Sequence, residues 1–406
     1  MDNLKAILDH FDNPQDKIKS ILVGGTNGKG SVSAMISSIL GAAGYRVGLN
    51  ISPHLSNINE RIVIDGRPAE EDLMSEAGLQ IQSACNALKT NLSFHEAITV
   101  CAFLVFERLK LDWQVLEIGL GGRLDAANTV RSPNVSVLVT VDLDHQALLG
   151  NTLEKIAMEK MGIFRKEGMA VVGKLNPDLL PYVSEYLSKY TMKSICYGLD
   201  YSVINQGGND AVFKDFAAGA FNFTSGLDGE HQQQNASIAI AACRFLGISN
   251  EQCLIGLSNV FWPGRLEPVK YKDTDILLDC GHNPAGIRSL VSYIKSRSIT
   301  DINLGFGVLG TKQWREMIDL LVPHVKTWNL LTSPTETAVD SSEIADFLSL
   351  KGLSCRNYDR NYEQYLSDLL NSGSKSNILT GSIYLIGAVR SLVVKEDKAI
   401  WKRIER

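Results

Sequence analysis

The feature that most constrains the fold is a regular alternation of short β-branched runs with helical stretches along the chain. The runs "SILVGG", "YRVGLNI", "WQVLEIG" and "NVSVLVTV" are typical of buried strands. Helical stretches over residues 29–43, 93–109 and 152–164 separate or follow them. Two parallel strands must be joined by a crossover, which is usually a helix. The alternation therefore predicts an α/β fold of parallel sheets with crossover helices.

A second strand–helix series begins at "DILLDCG", continues with a helix over residues 284–296 and a strand "VKTWNLL", and ends at the strand "SNILT". The segment "FWPGRLEPV" lies between the two series, and its Pro263, Gly264 and Pro268 interrupt both helix and strand. A chain of 406 residues is also too long for one ordinary core. We therefore expect two domains, formed by residues 1–266 and 267–406.

Composition limits the classes of function. Apolar residues make up 45% of the chain and charged residues 21%, and the net charge of -5 leaves no basic excess for a general nucleic-acid binder. The charged N-terminus is unlike a signal peptide, and no window holds the ~20 apolar residues that a membrane helix needs. Seven cysteines without a CxxC pair predict free thiols in a reducing compartment and no zinc site; they are Cys85, Cys101, Cys196, Cys243, Cys253, Cys280 and Cys355. We therefore expect a cytoplasmic protein that binds neither nucleic acid nor membrane.

The stretch "VGGTNGKGSVSAMISSIL" has the context of a phosphate-binding loop, because a strand ends in glycine and an amphipathic helix follows. It departs from the pattern G-x-x-x-x-G-K-[ST], since Val23 and Gly30 stand where glycine and a hydroxyl are expected. Gly28 and Gly30 allow close approach of the backbone to an anion, and Lys29 adds a positive charge. The alternative is a tight strand-to-helix turn with a surface lysine.

Acidic and imidazole side chains follow two further strands. Glu117 lies at the carboxyl end of the strand in "WQVLEIG", where a Gly-rich loop begins, and Asp142, Asp144 and His145 follow the strand "NVSVLVTV". Ligands of open α/β sheets bind at the carboxyl ends of the strands, so we expect these residues to meet the loop in one crevice. A carboxylate and a neutral imidazole beside a triphosphate are candidate Mg²⁺ ligands, although imidazole is a softer ligand than magnesium usually takes. The alternative for His145 is a hydrogen-bonded, partly buried histidine.

Seven ordered motifs carry a family resemblance: "GTNGKGS", "SPHLSNINERI", "EIGLGGRLDAAN", "LDHQALLGNTLEKIAMEKMGIFR", "QQNASIAIAA", "PGRLE" and "DCGHNP". With these motifs the sequence resembles the folylpolyglutamate synthase/dihydrofolate synthase family of Mur-type ligases over nearly its whole length. In this family one residue intervenes between the lysine and the hydroxyl of the loop. The resemblance implies a P-loop-containing, parallel-sheet ATP-binding domain followed by a smaller, Rossmann-like α/β domain that binds the amino acid.

The resemblance also implies roles for individual residues, position by position. Those that match the family's ATP-binding positions are Thr26, Asn27, Gly28, Lys29, Asn235, Arg265 and Asp279, and His282 lies beside them as a catalytic candidate with Lys29. Those that match the magnesium ligands are Ser52, Glu117 and His145. Lys160 matches a catalytic lysine that is carbamylated in the family. Taken singly, Ser52 is also explained as a turn residue, Lys160 as a solvated helix lysine and Asn235 as a helix cap.

The implied reaction uses ATP and Mg²⁺ to join L-glutamate to a folate-type acid through an acyl phosphate. A substrate carboxylate takes the γ-phosphate of ATP, and the amine of the amino acid then displaces the phosphate. Positioning and electrostatics supply most of such catalysis, and the sequence offers no Ser-His-Asp or Cys-His signature for a nucleophilic side chain.

The acid site departs from the family pattern. The segment that meets the pterin is Ser93, Phe94, His95 and Glu96 here, with an imidazole where the family has phenylalanine, although Ser93 and Glu96 also have the spacing of a helix capping box. Leu124, Asp125 and Ala126 match the remaining pterin contact. The chain also starts late relative to family members that carry an upstream pterin-binding segment, which leaves the acid less defined than the ATP chemistry.

Three hypotheses follow. The first is a dihydrofolate synthase, a folylpolyglutamate synthase or both, acting as a monomer. The second is a related ligase that joins an amino acid to a non-folate carboxylic acid. The third is a non-catalytic nucleotide-binding protein of the same fold, against which the joint presence of Lys29, Glu117, His145 and Lys160 argues.

Overall fold

The computed structural model describes residues 1–166, 168–190 and 192–394, which form two compact units. The first unit contains Met1–Gly226 and Gln232–Phe261. The second contains Leu227–His231 and the described residues from Trp262 onward. The break after Phe261 falls within the "FWPGRLEPV" segment, and the limit at residue 266 stays a prediction. The short segment Leu227–His231 was not expected in the second unit.

The first unit is built on an eight-stranded sheet and a three-stranded sheet. Its helices and strands are α1 (Asp2–His10), β1 (Lys19–Gly24), α2 (Lys29–Ala42), β2 (Val47–Asn50), β3 (Ile62–Ile64), β4 (Arg67–Pro68), α3 (Glu71–Leu88), α4 (Phe94–Arg108), β5 (Trp113–Glu117), β6 (Val135–Leu138), α5 (Gln146–Leu149), α6 (Leu153–Met161), β7 (Met169–Val172), α7 (Leu180–Lys189), β8 (Lys193–Cys196), β9 (Tyr201–Gly207), β10 (Asp210–Asp215), β11 (Gly219–Thr224), α8 (Glu230–Phe245) and α9 (Asn250–Asn259).

The main sheet has the order β4-β3-β2-β5-β1-β6-β7-β8. All its pairs from β2 to β8 are parallel, and the central strands are buried along their whole length, as strands covered by helices on both faces must be. In this register Val23 of β1 lies beside Glu117 of β5. The predicted parallel α/β architecture is confirmed for this sheet.

Two antiparallel pieces of the first unit were not predicted. Strands β3 and β4 form a hairpin that turns at Asp65 and Gly66, both with positive φ. Strands β9, β10 and β11 form the separate antiparallel sheet, and its first turn contains Gly207 and Gly208, also with positive φ. Both turns are of a kind that joins antiparallel strands.

The second unit carries a six-stranded sheet of order β12-β13-β17-β14-β15-β16. Apart from the antiparallel edge pair β12–β13 its strands are parallel. The chain steps outward from β14 to β16 and returns to place β17 on the other side of β14, which is the doubly wound topology expected of a Rossmann-like unit. Its elements are β12 (Glu267–Tyr271), β13 (Thr274–Leu278), α10 (Pro284–Ser296), β14 (Ile302–Phe306), α11 (Trp314–Leu321), β15 (Val325–Leu331), α12 (Ser341–Leu350), β16 (Cys355–Asp359), α13 (Tyr362–Asn371), β17 (Asn377–Thr380) and α14 (Ile383–Val393).

All seven cysteines are free, and four of them, Cys101, Cys243, Cys253 and Cys280, are buried. Burial raises the pKa of Cys101 and of Cys253 to about 11, so both thiols are protonated near neutral pH. Within the described part of the chain no helix is long and apolar enough to cross a membrane.

Candidate functional site

Strands β1, β5 and β6 are neighbours in the main sheet, and the residues at their carboxyl ends form the candidate site. The loop of residues 25–28 follows β1, Glu117 is the last residue of β5, and the segment 139–145 follows β6. Ligands of open α/β sheets bind at such strand ends. The loop, Glu117 and the segment after β6 therefore begin at neighbouring strand ends, and their convergence with His145 in one crevice stays a prediction.

The loop is fixed by hydrogen bonds to the segment after β6. The Thr26 amide donates to the Thr140 carbonyl at 2.8 Å, and the Asn27 amide donates to Thr140 Oγ1 at 2.9 Å. Thr26 Oγ1 accepts from the Asp142 amide at 3.0 Å. Thr26 and Asn27 therefore anchor the loop through their backbone amides, and the chain then enters the fourteen-residue helix α2 at Lys29. The N-terminus of such a helix attracts anions.

Position 28 requires glycine for two reasons, the backbone conformation and the lack of room for a side chain. Its φ is +81°, in the left-handed region, and a Cβ there would lie 2.6 Å from Asn235 Oδ1. Asn235 is itself held, because its Nδ2 donates to Gln232 Oε1 at 2.9 Å. The structure therefore brings Asn235, a predicted ATP-binding residue on α8, directly against the loop.

Two lysines hold backbone carbonyls of the loop. Lys29 Nζ donates to the Thr26 carbonyl at 3.2 Å, and Lys160 Nζ donates to the Gly25 carbonyl at 2.9 Å. Lys160 is only 4% exposed, so it is not a solvated helix lysine. Burial, reinforced by the positive charge of Lys29 and opposed by Asp144, lowers the pKa of Lys160 to about 7. A large fraction of this amine is therefore neutral near physiological pH.

Two of the three predicted magnesium ligands, Ser52 and Glu117, are in direct contact and offer oxygen atoms to a cation. The Ser52 amide donates to Glu117 Oε2 at 3.2 Å, and Ser52 Oγ is buried without a hydrogen-bond partner. Glu117 is 6% exposed. An orphaned hydroxyl beside a buried carboxylate is a donor set that suits a hard cation, so Ser52 and Glu117 fit Mg²⁺.

His145 differs from this pair. It is the N-cap residue before α5, with a φ of +51°; its side chain is 48% exposed, and Nε2 lies 3.9 Å from Asp144 Oδ2. Within residues 1–166, 168–190 and 192–394 no three His, Cys, Asp or Glu side chains cluster so as to hold a metal ion. A metal role for His145 stays a prediction.

The predicted acid-binding residues gather where α4 begins and around the loop that follows β5. The capping box is confirmed: Ser93 Oγ accepts from the Glu96 amide at 3.3 Å, and Glu96 Oε2 accepts from the Ser93 amide at 2.8 Å. His95 Nε2 lies 3.3 Å from Asp125 Oδ2, but this buried nitrogen makes no hydrogen bond. The His95 ring also fills the space beside Gly119, where a Cβ would lie 2.8 Å from the imidazole.

Asp125 is held by three backbone amides, those of Gly119, Leu120 and Ala127, at 2.9 to 3.1 Å. Beside these polar groups Phe94 is 56% exposed and Leu124 is 59% exposed, whereas Ala126 is buried. Exposed apolar side chains beside a few fixed polar groups are the kind of side chains that small-molecule sites use.

Sequence reasoning missed Arg61 and His54. Arg61 Nε donates to His54 Nδ1 at 2.9 Å, and the Arg61 guanidinium lies 5.1 Å from the centre of the Phe94 ring. Burial and the charge of Arg61 lower the pKa of His54. Both lie in the quoted motif "SPHLSNINERI", whose N-x-x-E spacing predicts the observed capping box of Asn57 and Glu60. That spacing predicts an ordered loop between β2 and β3, but it does not predict that the Arg61 guanidinium lies over the Phe94 ring.

The predicted residues of the second unit surround the start of β12 and the end of β13. The Asp279 carboxylate accepts from the Leu266 amide at 3.2 Å and from the Gly281 amide at 2.9 Å. Burial raises the pKa of Asp279, and the nearby charge of Arg265 opposes that rise. His282 Nδ1 lies 3.1 Å from the Cys280 carbonyl. Asp279 is therefore bound to the segment that carries Arg265.

These arrangements define a class: an α/β protein whose strand–glycine–helix loop has the geometry typical of phosphate-binding loops, with two lysines and buried oxygen atoms close to it. Residues 23–243 match the family model described as Mur ligase middle domain, and residues 264–380 match that of the Mur ligase, glutamate ligase domain. The chain is 32% identical to the folylpolyglutamate synthase of Lacticaseibacillus casei, over 96% of this chain and 93% of the relative.

It is 31% identical to the dihydrofolate synthase/folylpolyglutamate synthase of Bacillus subtilis, over 95% of this chain and 93% of the relative. The folylpolyglutamate synthase of Mycobacterium tuberculosis, complexed with ADP and AMPPCP, has a similar structure, with a TM-score of 0.90 and 25% identity over 98% of this chain and 96% of that one. The chain therefore belongs to the folylpolyglutamate synthase/dihydrofolate synthase family of Mur-type ligases.

Proposed function

We propose that this protein is an ATP- and Mg²⁺-dependent ligase that joins L-glutamate to a folate-type acid through an acyl phosphate. The proposal rests on the names of the curated relatives and on one observation above all: Lys29, buried Lys160 and Asn235 converge on a loop that ends at the N-terminus of α2. In such phosphoryl transfers the protein acts mainly by positioning and by stabilising charge.

The first step transfers the γ-phosphoryl group. A carboxylate oxygen of the acid bonds to the γ-phosphorus as the bond to ADP breaks. Lys29 and the N-terminus of α2 stabilise charge on the transferring group. Ser52 and Glu117, with His145 as the predicted third ligand, would hold Mg²⁺, which supplies further charge neutralisation when it is bound. In the second unit Arg265 and Asp279 bind the nucleotide, and His282 serves as a catalytic residue near it.

The second step forms the amide. The neutral amine of L-glutamate attacks the acyl carbon, phosphate leaves, and the nitrogen loses a proton. The acyl phosphate is the activated species, so no side chain needs to form a covalent bond to the acid. Phe94, His95, Leu124 and Asp125 contact the acid, while Ser93 and Glu96 keep α4 in place through the capping box.

We further propose that Lys160 works as a carbamate. Its neutral amine bonds to the carbon of CO₂ and releases one proton, which converts a buried cation into an anion beside the loop. The low pKa of Lys160 supports this step, because only the neutral amine is nucleophilic. An anion at this position would orient groups around the cation site.

The experiment that tests the function is a paired assay of ADP release with ATP and L-glutamate. One arm contains 7,8-dihydropteroate and the other tetrahydrofolate. ADP release that requires both acid and glutamate is expected in at least one arm, and mass spectrometry should show one or more added glutamyl residues. No turnover in either arm would exclude the folate part, and a wider screen of acids would then identify a non-folate ligase. ATP binding without acid-dependent turnover with any acid would favour a non-catalytic protein.

The monomeric state stays a prediction that sedimentation can test.

A further inference from the structure

The segment that presents Arg265 has an unusual backbone. Gly264 has a φ of +69° and Leu266 a φ of +46°, so both neighbours of Arg265 are in the left-handed region. Glycine adopts this region freely, whereas a branched side chain such as leucine is strained there. Leu266 is also 1% exposed, so its side chain is fixed in the core of the second unit. Strain of this kind persists only where surrounding contacts impose it, and it is concentrated at functional sites.

Several contacts impose this backbone. Asp279 Oδ2 accepts from the Leu266 amide at 3.2 Å, and the Gly264 carbonyl accepts from the Cys280 amide at 2.8 Å. These bonds attach the segment to the end of β13. Through these two bonds, the residues that follow β13 hold both neighbours of Arg265.

A buried ion pair holds the segment on the other side. Glu267 Oε2 accepts from the Gly264 amide at 2.9 Å and from Arg390 Nε, also at 2.9 Å. Arg390 Nη2 donates to Glu267 Oε1 at 3.1 Å, which makes the pair bidentate. Glu267 is 2% exposed and Arg390, on α14, is 5% exposed. The carboxylate of Glu267 thus spans Arg265, since it is attached at residue 267 and bonded to residue 264.

A buried ion pair is weak evidence for a role in stability, because well-packed apolar residues often replace such a pair without loss. Its directional bonds can instead fix one geometry. Here the fixed element is the backbone of residues 264–267. The main effect of the charge pair is therefore to fix the position of the Arg265 backbone, from which the Arg265 side chain extends.

We propose that Glu267 and Arg390 are positioning residues for nucleotide binding and act by holding the Arg265 backbone through the Gly264 amide. The inference rests on the proposed function, in which Arg265 binds the nucleotide. Neither residue touches substrate in this scheme. Their effect on the reaction is carried by Arg265.

The test replaces the pair with apolar residues of similar length, Glu267→Leu together with Arg390→Met. We expect a folded protein with cooperative unfolding, because the two charges are removed together. The KM for ATP should rise about tenfold or more, since small misplacements of a binding group are costly, while the KM for the acid changes little. A second variant, Glu267→Gln with Arg390→Met, keeps an acceptor for the Gly264 amide and should recover part of the lost ATP affinity. It also serves as the test if the first variant does not fold.

Two further variants keep the outcomes distinct. Arg265→Ala should raise the KM for ATP at least as much as the double variant, and an unchanged KM would remove the proposed role of Arg265. If Arg265→Ala impairs ATP binding while both pair variants bind ATP normally, the inference about Glu267 and Arg390 is overturned and the proposed function stands. The exposed pair Lys326 and Asp301, 2.9 Å apart, provides a matched control: Lys326→Gln with Asp301→Asn should leave both KM values unchanged.

Discussion

Lys160 allows a quantitative prediction, because the fold holds it in an environment that disfavours its charge. Its pKa is about 7, against a usual value of 10.5 for lysine. In the unfolded chain the lysine regains its usual pKa. The unfolded state therefore binds more protons than the folded state between pH 7 and pH 10.5, and the free energy of unfolding must rise with pH across that window.

The perturbation is Lys160→Met, which keeps an unbranched side chain and removes the charge. At pH 7 the shift of Lys160 costs the wild type roughly 4 kcal/mol, since each pKa unit is worth about 1.4 kcal/mol. Loss of the hydrogen bond to the Gly25 carbonyl offsets about 1 kcal/mol of this. We therefore expect the variant to be more stable than the wild type at pH 7 by roughly 3 kcal/mol. The advantage should shrink by roughly 2 kcal/mol at pH 9, where the folded wild type has already lost the proton.

The assay is urea unfolding of ligand-free protein in CO₂-free buffer at several values between pH 6 and pH 9. Lys155→Met changes an exposed lysine on the same helix, α6, and is the control that should follow the wild type. A stability difference between wild type and Lys160→Met that is constant with pH would refute the reasoning, since it would mean that the pKa of Lys160 is not lowered.

The carbamate is tested separately: ¹³C-bicarbonate should give a carbamate signal in the wild type that Lys160→Met lacks. Lys160→Ala should lose most activity and regain part of it with added short carboxylates.

Three further substitutions and one control test the loop and the acid site. Lys29→Ala should abolish ATP-dependent ligation without changing the melting temperature, and normal turnover would remove the assigned role. Gly28→Ala should cost roughly 1–2 kcal/mol of stability, measured by urea unfolding, and should raise the KM for ATP, because its Cβ would lie 2.6 Å from Asn235 Oδ1. Gly247→Ala, at a similar φ but in open space, should cost stability alone; equal effects on the KM for ATP would contradict the contact with Asn235. His95→Phe should lower the KM for dihydropteroate roughly three- to tenfold through added aromatic contact, whereas a higher KM would show that the imidazole hydrogen-bonds the acid.

Sequence patterns predict the strand–helix series well because they report local periodicity. The helix Pro284–Ser296 and the strand Val325–Leu331 have the predicted bounds. The helix expected over residues 152–164 is shorter and ends at Met161. After it, the Ile163 and Phe164 amides bond to carbonyls three residues back, so the chain tightens into a turn. Hydrophobic periodicity does not distinguish that turn from a continuing helix.

The unpredicted antiparallel pieces had local signals. Asp65-Gly66 and Gly207-Gly208 are dipeptides that favour hairpin turns, but they lie outside the strand–helix alternation that dominates the sequence. Features that depend on contacts between distant segments of the chain have no such local signal. The burial of Lys160 and the addition of Leu227–His231 to the second unit depend on which distant segments pack together.

The departure of the loop from the common phosphate-loop pattern has a structural counterpart. Gly30 occupies the usual hydroxyl position, and the hydroxyl of Ser31, one residue later, is buried and accepts from Gln232 Nε2 at 3.3 Å. Gln232 in turn accepts from Asn235, whose Oδ1 lies against Gly28. The shifted hydroxyl therefore links the start of α2 to α8. Because this link helps to fix Asn235 beside Gly28, the residue that departs from the common pattern lies on the side of the loop that α8 covers.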